Sequence, residues 1–320
     1  MKKVFITRRL PEIAFTLLGN YFKVDASMIN EPLPRVRLKE IVKEYDAILT
    51  TVSEKIDKDI LSEKMRLSVI SNYASGLDNI DLNLAQKFGV AVYNTPDIVT
   101  DSTADLTIGL IISMCRMIQN SNKFIKEGKW QNWDPEIFLG TELRNRTIGI
   151  IGFGKVGQAV AKRLISFGCN VIFTDNRTAD IPPELIDRVS FVDLKYLLEN
   201  SEIISIHVSL NNETKHLINS EAFFKMTKRP YLINMSRGGV VDTDSLLNAL
   251  RNNKLRGVAL DVTDPEPLPF DHALLSFDNC LITPHIGTAT EECRSNMALL
   301  AAQNIVNHFY PQKIKSFYDK

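Results

Sequence analysis

Short apolar runs alternate with longer amphipathic stretches along the whole chain, and no other feature restricts its fold so strongly. In the first hundred residues the runs are VFIT, AILTT, LSVISN and VAVYNT, separated by stretches such as RLKEIVKEY and NIDLNLAQKFG with helical spacing of apolar residues. A continuous apolar run bounded by polar residues reads as a strand buried on both faces. Strands alternating with helices then imply parallel sheets covered by helices on either side. The second half repeats the rhythm with TIGIIGF, NVIFTDN, EIISIHV, YLINMS, GVALDV and NCLITPH. Between the two series, STADLTIGLIISMCRMIQNSNKFIKEG reads as one helix, followed by the irregular KWQNWDPEIFLGTEL. The chain is expected to change domain here, since 320 residues exceed what one hydrophobic core usually organises. After His285, the helical EECRSNMALLAAQNIVNHF has no strand to follow it and is expected to return to the first domain.

Charge and cysteine usage narrow the class of partner. Thirty-eight basic residues balance 38 acidic ones without a basic stripe, which argues against a nucleic-acid or membrane surface and for a small-molecule partner. Cys115, Cys169, Cys280 and Cys293 are scattered, with no CxxC pair and no histidine at ligand spacing. They read as buried, inert thiols in a reducing compartment, with no metal site. The start, MKKVFITRR, has too short an apolar part for a signal peptide. The longest apolar stretch, LTIGLIISMC, is about half the ~20 residues of a bilayer span. A cytoplasmic protein is expected.

The first motif with chemical content is IGIIGFGKVGQAVAKRL, where Gly152, Gly154 and Gly157 form G-x-G-x-x-G between a strand and a helix. Such glycines permit a tight turn and close approach of a pyrophosphate to the helix N-terminus, where backbone N–H groups point outward. Eighteen residues after Gly157, the next strand ends at Asp175, whose carboxylate suits an adenosine ribose and favours NAD. Arg177, two residues on, is a counter-signal, because a guanidinium can hold the 2′-phosphate of NADP.

Ligands of an open parallel sheet gather beyond the carboxyl ends of its strands. The polar residues there are His207 after EIISI, Asn234 to Arg237 after YLI, Asp261 and Glu266 after GVAL, and His285 after CLITP. A cation, a carboxylate and an imidazole from successive strand ends suit acid–base chemistry on an anionic substrate.

With these pieces in place, the chain resembles the D-isomer-specific 2-hydroxyacid dehydrogenase family over essentially its whole length. The similarity rests on NYASGLDNIDL, TPDIVTDSTADL, GIIGFGKVGQAVAKRL, NMSRGGVVDTDSLLNAL, GVALDVTDPEPLP and TPHIGTATEECRSNM, in the family's order. The resemblance implies an α/β fold of two Rossmann-like or flavodoxin-like domains with the active site in the interdomain cleft. A substrate-binding domain would comprise 1–100 plus 286–320, and an NAD-binding domain 101–285. It implies Arg237, Glu266 and His285 as the catalytic set, with the backbone around Ala74, Ser75 and Gly76 binding substrate. The implied cofactor residues are Gly152, Gly154, Lys155, Val156, Gly157, Asp175, His207, Met235, Ser236, Asp261 and Gly287, with Asp261 near the carboxamide.

The implied chemistry is reduction of a 2-oxo acid by hydride transfer from NAD(P)H. His285 would donate the proton to the carbonyl oxygen, Glu266 would orient the ring, and Arg237 would hold the substrate in a fixed fork. The GKWQNWDPEIFLG arm is similar to that of glyoxylate and hydroxypyruvate reductases, where a tryptophan from the partner subunit shapes the pocket. Trp130 or Trp133 would do so in a homodimer. A short D-3-phosphoglycerate dehydrogenase remains an alternative, as does an NAD-sensing binding protein like the corepressors that share the fold. The chain stops at Lys320 soon after the last helix, and no added regulatory domain of the sort some phosphoglycerate dehydrogenases carry is expected. It departs from the family at Ser209 and Asn211, where proline and threonine are usual, which loosens the reading of that cofactor-facing loop.

Overall fold

The apolar runs become the strands of two parallel sheets. In the computed structural model, which describes residues 1–29, 31–176 and 180–311, the first sheet comprises β1 (Lys3–Ile6), β2 (Lys23–Ala26), β3 (Ala47–Thr50), β4 (Val69–Asn72) and β5 (Ala91–Tyr93). Their order is β2-β1-β3-β4-β5, and every pairing is parallel. The second sheet comprises β6 (Thr147–Ile151), β7 (Asn170–Thr174), β8 (Val189–Phe191), β9 (Ile203–Ile206), β10 (Tyr231–Asn234), β11 (Gly257–Leu260) and β12 (Cys280–Ile282). Its order is β12-β11-β10-β9-β6-β7-β8, again parallel throughout. The sheets belong to two compact units, Met1–Val99 with Ala289–Lys320, and Thr100–Thr288.

Alternation along each strand divides the second unit's core into two layers. Ile204, Ile206, Leu232, Val258 and Leu260 pack on one face, while Ile148, Ile150, Ile203, Ile233 and Ala259 pack on the other. Full burial of each such Ile, Leu or Val contributes about 1.5–3 kcal/mol. In the first unit, the helix Glu291–Phe309 closes one face of the sheet. Its Met297, Ala298, Ala301, Ala302 and Ile305 pack with Val4, Ile6, Leu49 and Val69. Small alanines let its backbone lie close to the strands, and Thr290 caps its start by accepting a 3.1 Å bond from Cys293 N–H.

The single helix expected over Ser102–Gly128 is two, Thr100–Cys115 and Ile118–Lys126. The returning loop supplies the reason: Thr141 N–H donates to the Cys115 carbonyl at 2.8 Å, and Met117 is left-handed with φ 51°. That carbonyl is engaged from outside the helix, so the chain turns. The first helix is largely buried, whereas the second buries no residue. Strands β2 and β8, which the apolar runs did not signal, lie at sheet edges and are only partly buried or exposed.

Among the described residues no helix is long and apolar enough to cross a membrane. All four cysteines are buried, and burial pushes the Cys115 and Cys280 thiols up to about 12 and Cys169 up to about 11. Such thiols stay protonated and poorly nucleophilic near neutral pH.

Candidate active site

In the second unit the strand order reverses between β6 and β9, and their carboxyl ends form the crevice where a doubly wound sheet binds ligands. Gly152 follows β6 with φ 92°, and a Cβ there would lie 2.8 Å from the His207 carbonyl carbon and the Val208 nitrogen. Only glycine lets the β6 turn lie against the end of β9. Gly157 sits in the first turn of the helix Lys155–Ser166, where a Cβ would meet the Gly152 oxygen at 2.2 Å. Gly154 is the N-cap of that helix, with no side-chain cap and nothing within 4 Å of its notional Cβ. Open space thus adjoins the positive end of a twelve-residue helix. Lys155 begins the helix and Val156 packs partly into the core. Asp175 follows β7, and its Oδ2 accepts a 2.6 Å bond from Phe153 N–H, which fixes the carboxylate beside the glycine turn. These residues fit a dinucleotide. Arg177 lies outside the described residues.

His207 follows β9. Its Nε2 lies 2.8 Å from Ser205 Oγ, its Nδ1 is buried, and burial pushes the imidazole down to about 3, so the ring is neutral. Met235 is buried in the core after β10. Asn234 organises the following turn: its Oδ1 accepts from Ser236 N–H at 3.1 Å and Ser236 Oγ at 3.0 Å, while its Nδ2 donates to the Arg237 carbonyl at 2.9 Å. Arg237 Nη1 donates to the Ser236 carbonyl at 2.9 Å. A Cβ on Gly238 would fall 2.0 Å from the Thr263 carbonyl carbon. The turn after β10 therefore presses directly on the turn after β11, and Thr243 Oγ1 ties them further by donating to the Asp264 carbonyl at 2.8 Å.

Glu266 and His285 meet: His285 Nδ1 lies 2.6 Å from Glu266 Oε1, and Thr263 N–H donates to Oε2 at 3.3 Å. Burial alone would raise the Glu266 pKa, but the His285 hydrogen bond and charge, the Thr263 N–H and the Arg237 charge together hold it below the usual carboxylate value. The three residues proposed from strand ends are thus brought into one electrostatic set. With Nδ1 engaged by the carboxylate, Nε2 is the ring nitrogen on the side away from Glu266.

The sequence did not signal what holds His285. Its φ is 54°, a left-handed conformation that costs a non-glycine residue about 1–3 kcal/mol. Its N–H donates to the carbonyls of Asp261 and Thr283, both at 2.9 Å. The Asp261 side chain, 2% exposed, accepts from Thr283 Oγ1 at 2.7 Å, Ile286 N–H at 2.8 Å and Gly287 N–H at 2.7 Å. Asp261 is therefore the buried anchor of the turn that carries the histidine. Gly287 belongs to the same turn, and its carbonyl accepts from Ser102 Oγ at 2.8 Å. The departure at Ser209 and Asn211 is accommodated locally, since Asn211 Oδ1 accepts from Glu213 and Thr214 N–H and Thr214 Oγ1 donates to the Ser209 carbonyl at 2.6 Å.

In the first unit, Ala74, Ser75 and Gly76 form the turn after β4. Their carbonyls are all engaged from within the unit: Ala74 by Thr95 N–H at 2.8 Å, Ser75 by Asn94 Nδ2 at 2.6 Å and Gly76 by Asn72 Nδ2 at 3.0 Å. In a trans peptide the C=O and the next N–H point in opposite directions, so the N–H groups of Ser75, Gly76 and Leu77 face away from these donors. A row of such N–H groups suits an anion. Trp130 and Trp133, in the loop after Ile118–Lys126, are 62% and 80% exposed.

A glycine cradle at a switch point, with an arginine, a glutamate and a histidine on the next strand ends, defines a dinucleotide-dependent oxidoreductase class. The profile described as D-isomer specific 2-hydroxyacid dehydrogenase, NAD binding domain, matches residues 108–287, and the chain belongs to this family of NAD(P)-dependent oxidoreductases acting on a CH–OH group. It is 42% identical over 307 residues to a glyoxylate reductase of Thermofilum pendens, covering 95% of this chain and 90% of that one. The TT0316 protein of Thermus thermophilus superposes with a TM-score of 0.88 at 36% identity, over 96% of each chain. The D-lactate dehydrogenase of Aquifex aeolicus, solved with NAD and lactic acid, gives 0.83 at 27% identity, over 96% of this chain and 95% of that one.

Proposed function

We propose that this protein reduces a small 2-oxo acid of the glyoxylate or hydroxypyruvate type to the D-2-hydroxy acid. The observation that carries the reading is the 2.6 Å His285–Glu266 contact within the field of Arg237. The glyoxylate reductase relative and the dehydrogenase solved with NAD and lactic acid support the reaction and substrate class. Gly152, Gly154, Gly157, Lys155 and Val156 would hold the pyrophosphate side of the cofactor and Asp175 the adenosine ribose. His207, Met235, Ser236, Asp261 and Gly287 would border its nicotinamide half. NAD is the expected cofactor, with NADP the competitor at the Asp175 end. Bound there, the dinucleotide supplies the hydride for the carbonyl carbon.

The chain's own residues do the rest. Arg237 binds the carboxylate and carbonyl oxygen of the substrate through a planar fork and fixes the carbon for attack. His285 Nε2 delivers a proton to the oxygen as negative charge grows there, and Glu266 holds the ring through Nδ1 and stabilises its charged form. The Ala74–Gly76 turn offers backbone N–H groups to the carboxylate. The substrate-binding role falls to 1–100 plus 286–320 and the cofactor role to 101–285. A homodimer would cover the exposed Trp130 and Trp133, and the cytoplasm would keep the thiols reduced.

The test is to mix the pure protein with glyoxylate, hydroxypyruvate, pyruvate or 3-phosphohydroxypyruvate and NADH or NADPH, then follow loss of reduced-nicotinamide absorbance. Turnover of the small 2-oxo acids is expected. Tight NADH binding with no turnover of any of the four would overturn the proposal in favour of a sensing role.

A further inference from the structure

We infer that Asn79 is a positioning residue for the 2-oxo acid, acting by locking the Ala74–Gly76 turn to the turn after β3. The inference rests on the reading in which that turn's N–H groups receive the substrate carboxylate. Asn72 Nδ2, fully buried at the end of β4, divides its two protons between the Gly76 carbonyl and Asn79 Oδ1, each at 3.0 Å. Asn79 Nδ2 in turn donates to the Thr51 carbonyl at 3.0 Å and the Glu54 carbonyl at 2.9 Å. Each of these amide groups therefore has a defined orientation and its donors are spent.

The far end of this chain of bonds is anchored at the first sheet's own switch point, between β1 and β3. Glu54 is 2% exposed, and its Oε2 accepts from Thr7 Oγ1 at 3.1 Å, Thr50 Oγ1 at 3.2 Å, Thr51 N–H at 3.0 Å and Thr51 Oγ1 at 2.8 Å. The strand ends of β1 and β3 are thereby joined around one carboxylate. Asn79 is the step that carries this fixed geometry to Asn72 and hence to the Gly76 carbonyl. Rotating that peptide would redirect the Leu77 N–H on its opposite side. Without Asn79, Asn72 keeps a bond to Gly76 but loses the partner that sets its own amide plane.

Asn79→Ala should raise the KM for glyoxylate and the inhibition constant of oxalate by about ten-fold, the scale of one or two hydrogen bonds, with little change in kcat or in NADH affinity. Asn79→Asp, which keeps the acceptor for Asn72 but faces both carbonyls with a carboxylate, should do the same and guards against misfolding of the alanine variant. Unchanged glyoxylate KM and oxalate inhibition in both variants would overturn the inference, and so would a parallel loss of NADH affinity, which signals general loosening. Ser75→Pro, which deletes one N–H of the turn, separates the two levels. If it too leaves glyoxylate KM and oxalate inhibition unchanged, the carboxylate-binding reading fails; if it raises them while Asn79 variants do not, only the role of Asn79 fails.

Discussion

The carboxyl edges of the two sheets are made by opposite means. In the first unit the groups assigned to the ligand are backbone N–H, and the side chains behind them are neutral amides that turn the peptides. In the second unit the groups assigned to the ligand are the side chains of Arg237, Glu266 and His285, and the backbone approaches closely at Gly152, Gly157 and Gly238. A backbone edge can bind an anion but cannot exchange a proton near neutral pH. The side-chain edge can do both, so the proposed proton transfer falls to the second unit.

Removing the imidazole breaks that contrast most severely. His285→Ala should lower kcat by about 10²–10⁴, the usual worth of a positioned general acid, while NADH affinity measured by fluorescence titration stays close to that of the parent. An unaltered rate would move the proton donor elsewhere. Next comes Gly157→Ala. Its new Cβ would sit 2.2 Å from the Gly152 oxygen, so helix and turn must separate, at about 1–3 kcal/mol for overpacking. The expected result is about ten- to hundred-fold weaker NADH binding, with a lowered melting temperature. An equal loss in oxalate binding would blur the division between the two edges.

The parts legible in sequence were those whose physics is local. Continuous apolar runs announced β3, β4, β6, β9, β10 and β11 because those strands are buried on both faces. Strands β2, KVDA, and β8, VSF, escaped because an edge strand needs no such run. The helix break at Met117 was hidden for a different reason. It depends on Thr141 N–H reaching the Cys115 carbonyl, a contact between residues far apart in sequence. At the candidate site, Arg237, Glu266 and His285 could be proposed from their place after strands. The residues that hold them could not: Asp261 reads as one more strand-end acid until its oxygens are seen to take Thr283, Ile286 and Gly287. Asn72, Asn79 and Asn94 likewise carry no signal apart from the carbonyls they meet.

Asp261→Asn sharpens this distinction. An amide in place of the carboxylate turns one acceptor into a donor, leaving a buried N–H of Ile286 or Gly287 unpaired, at about 1–3 kcal/mol. If the residue chiefly supports the left-handed His285, kcat should fall about ten-fold or more and NADH affinity should change less. A change confined to NADH affinity would instead make it a direct carboxamide contact.

The smallest expected effect is the pH dependence of stability, and it too separates the edges. Glu266 has a folded-state pKa below its ordinary value, so the folded protein binds that proton less readily than the unfolded chain. Its contribution is therefore fully present above the unfolded carboxyl value of about 4.3 and is lost as the pH falls through the lower folded value. Being partly exposed, the Glu266–His285 pair is screened by solvent and contributes modestly. The difference in melting temperature between the parent and Glu266→Gln should be present at about pH 5 and shrink as the solution is made more acidic. Asn79→Ala, which removes a neutral amide, should show a melting-temperature difference that does not follow this profile. If the Glu266→Gln difference grew as the pH fell below about 5, the carboxylate would not be stabilised in the folded state and its pairing with His285 would not contribute in the sense deduced from the geometry.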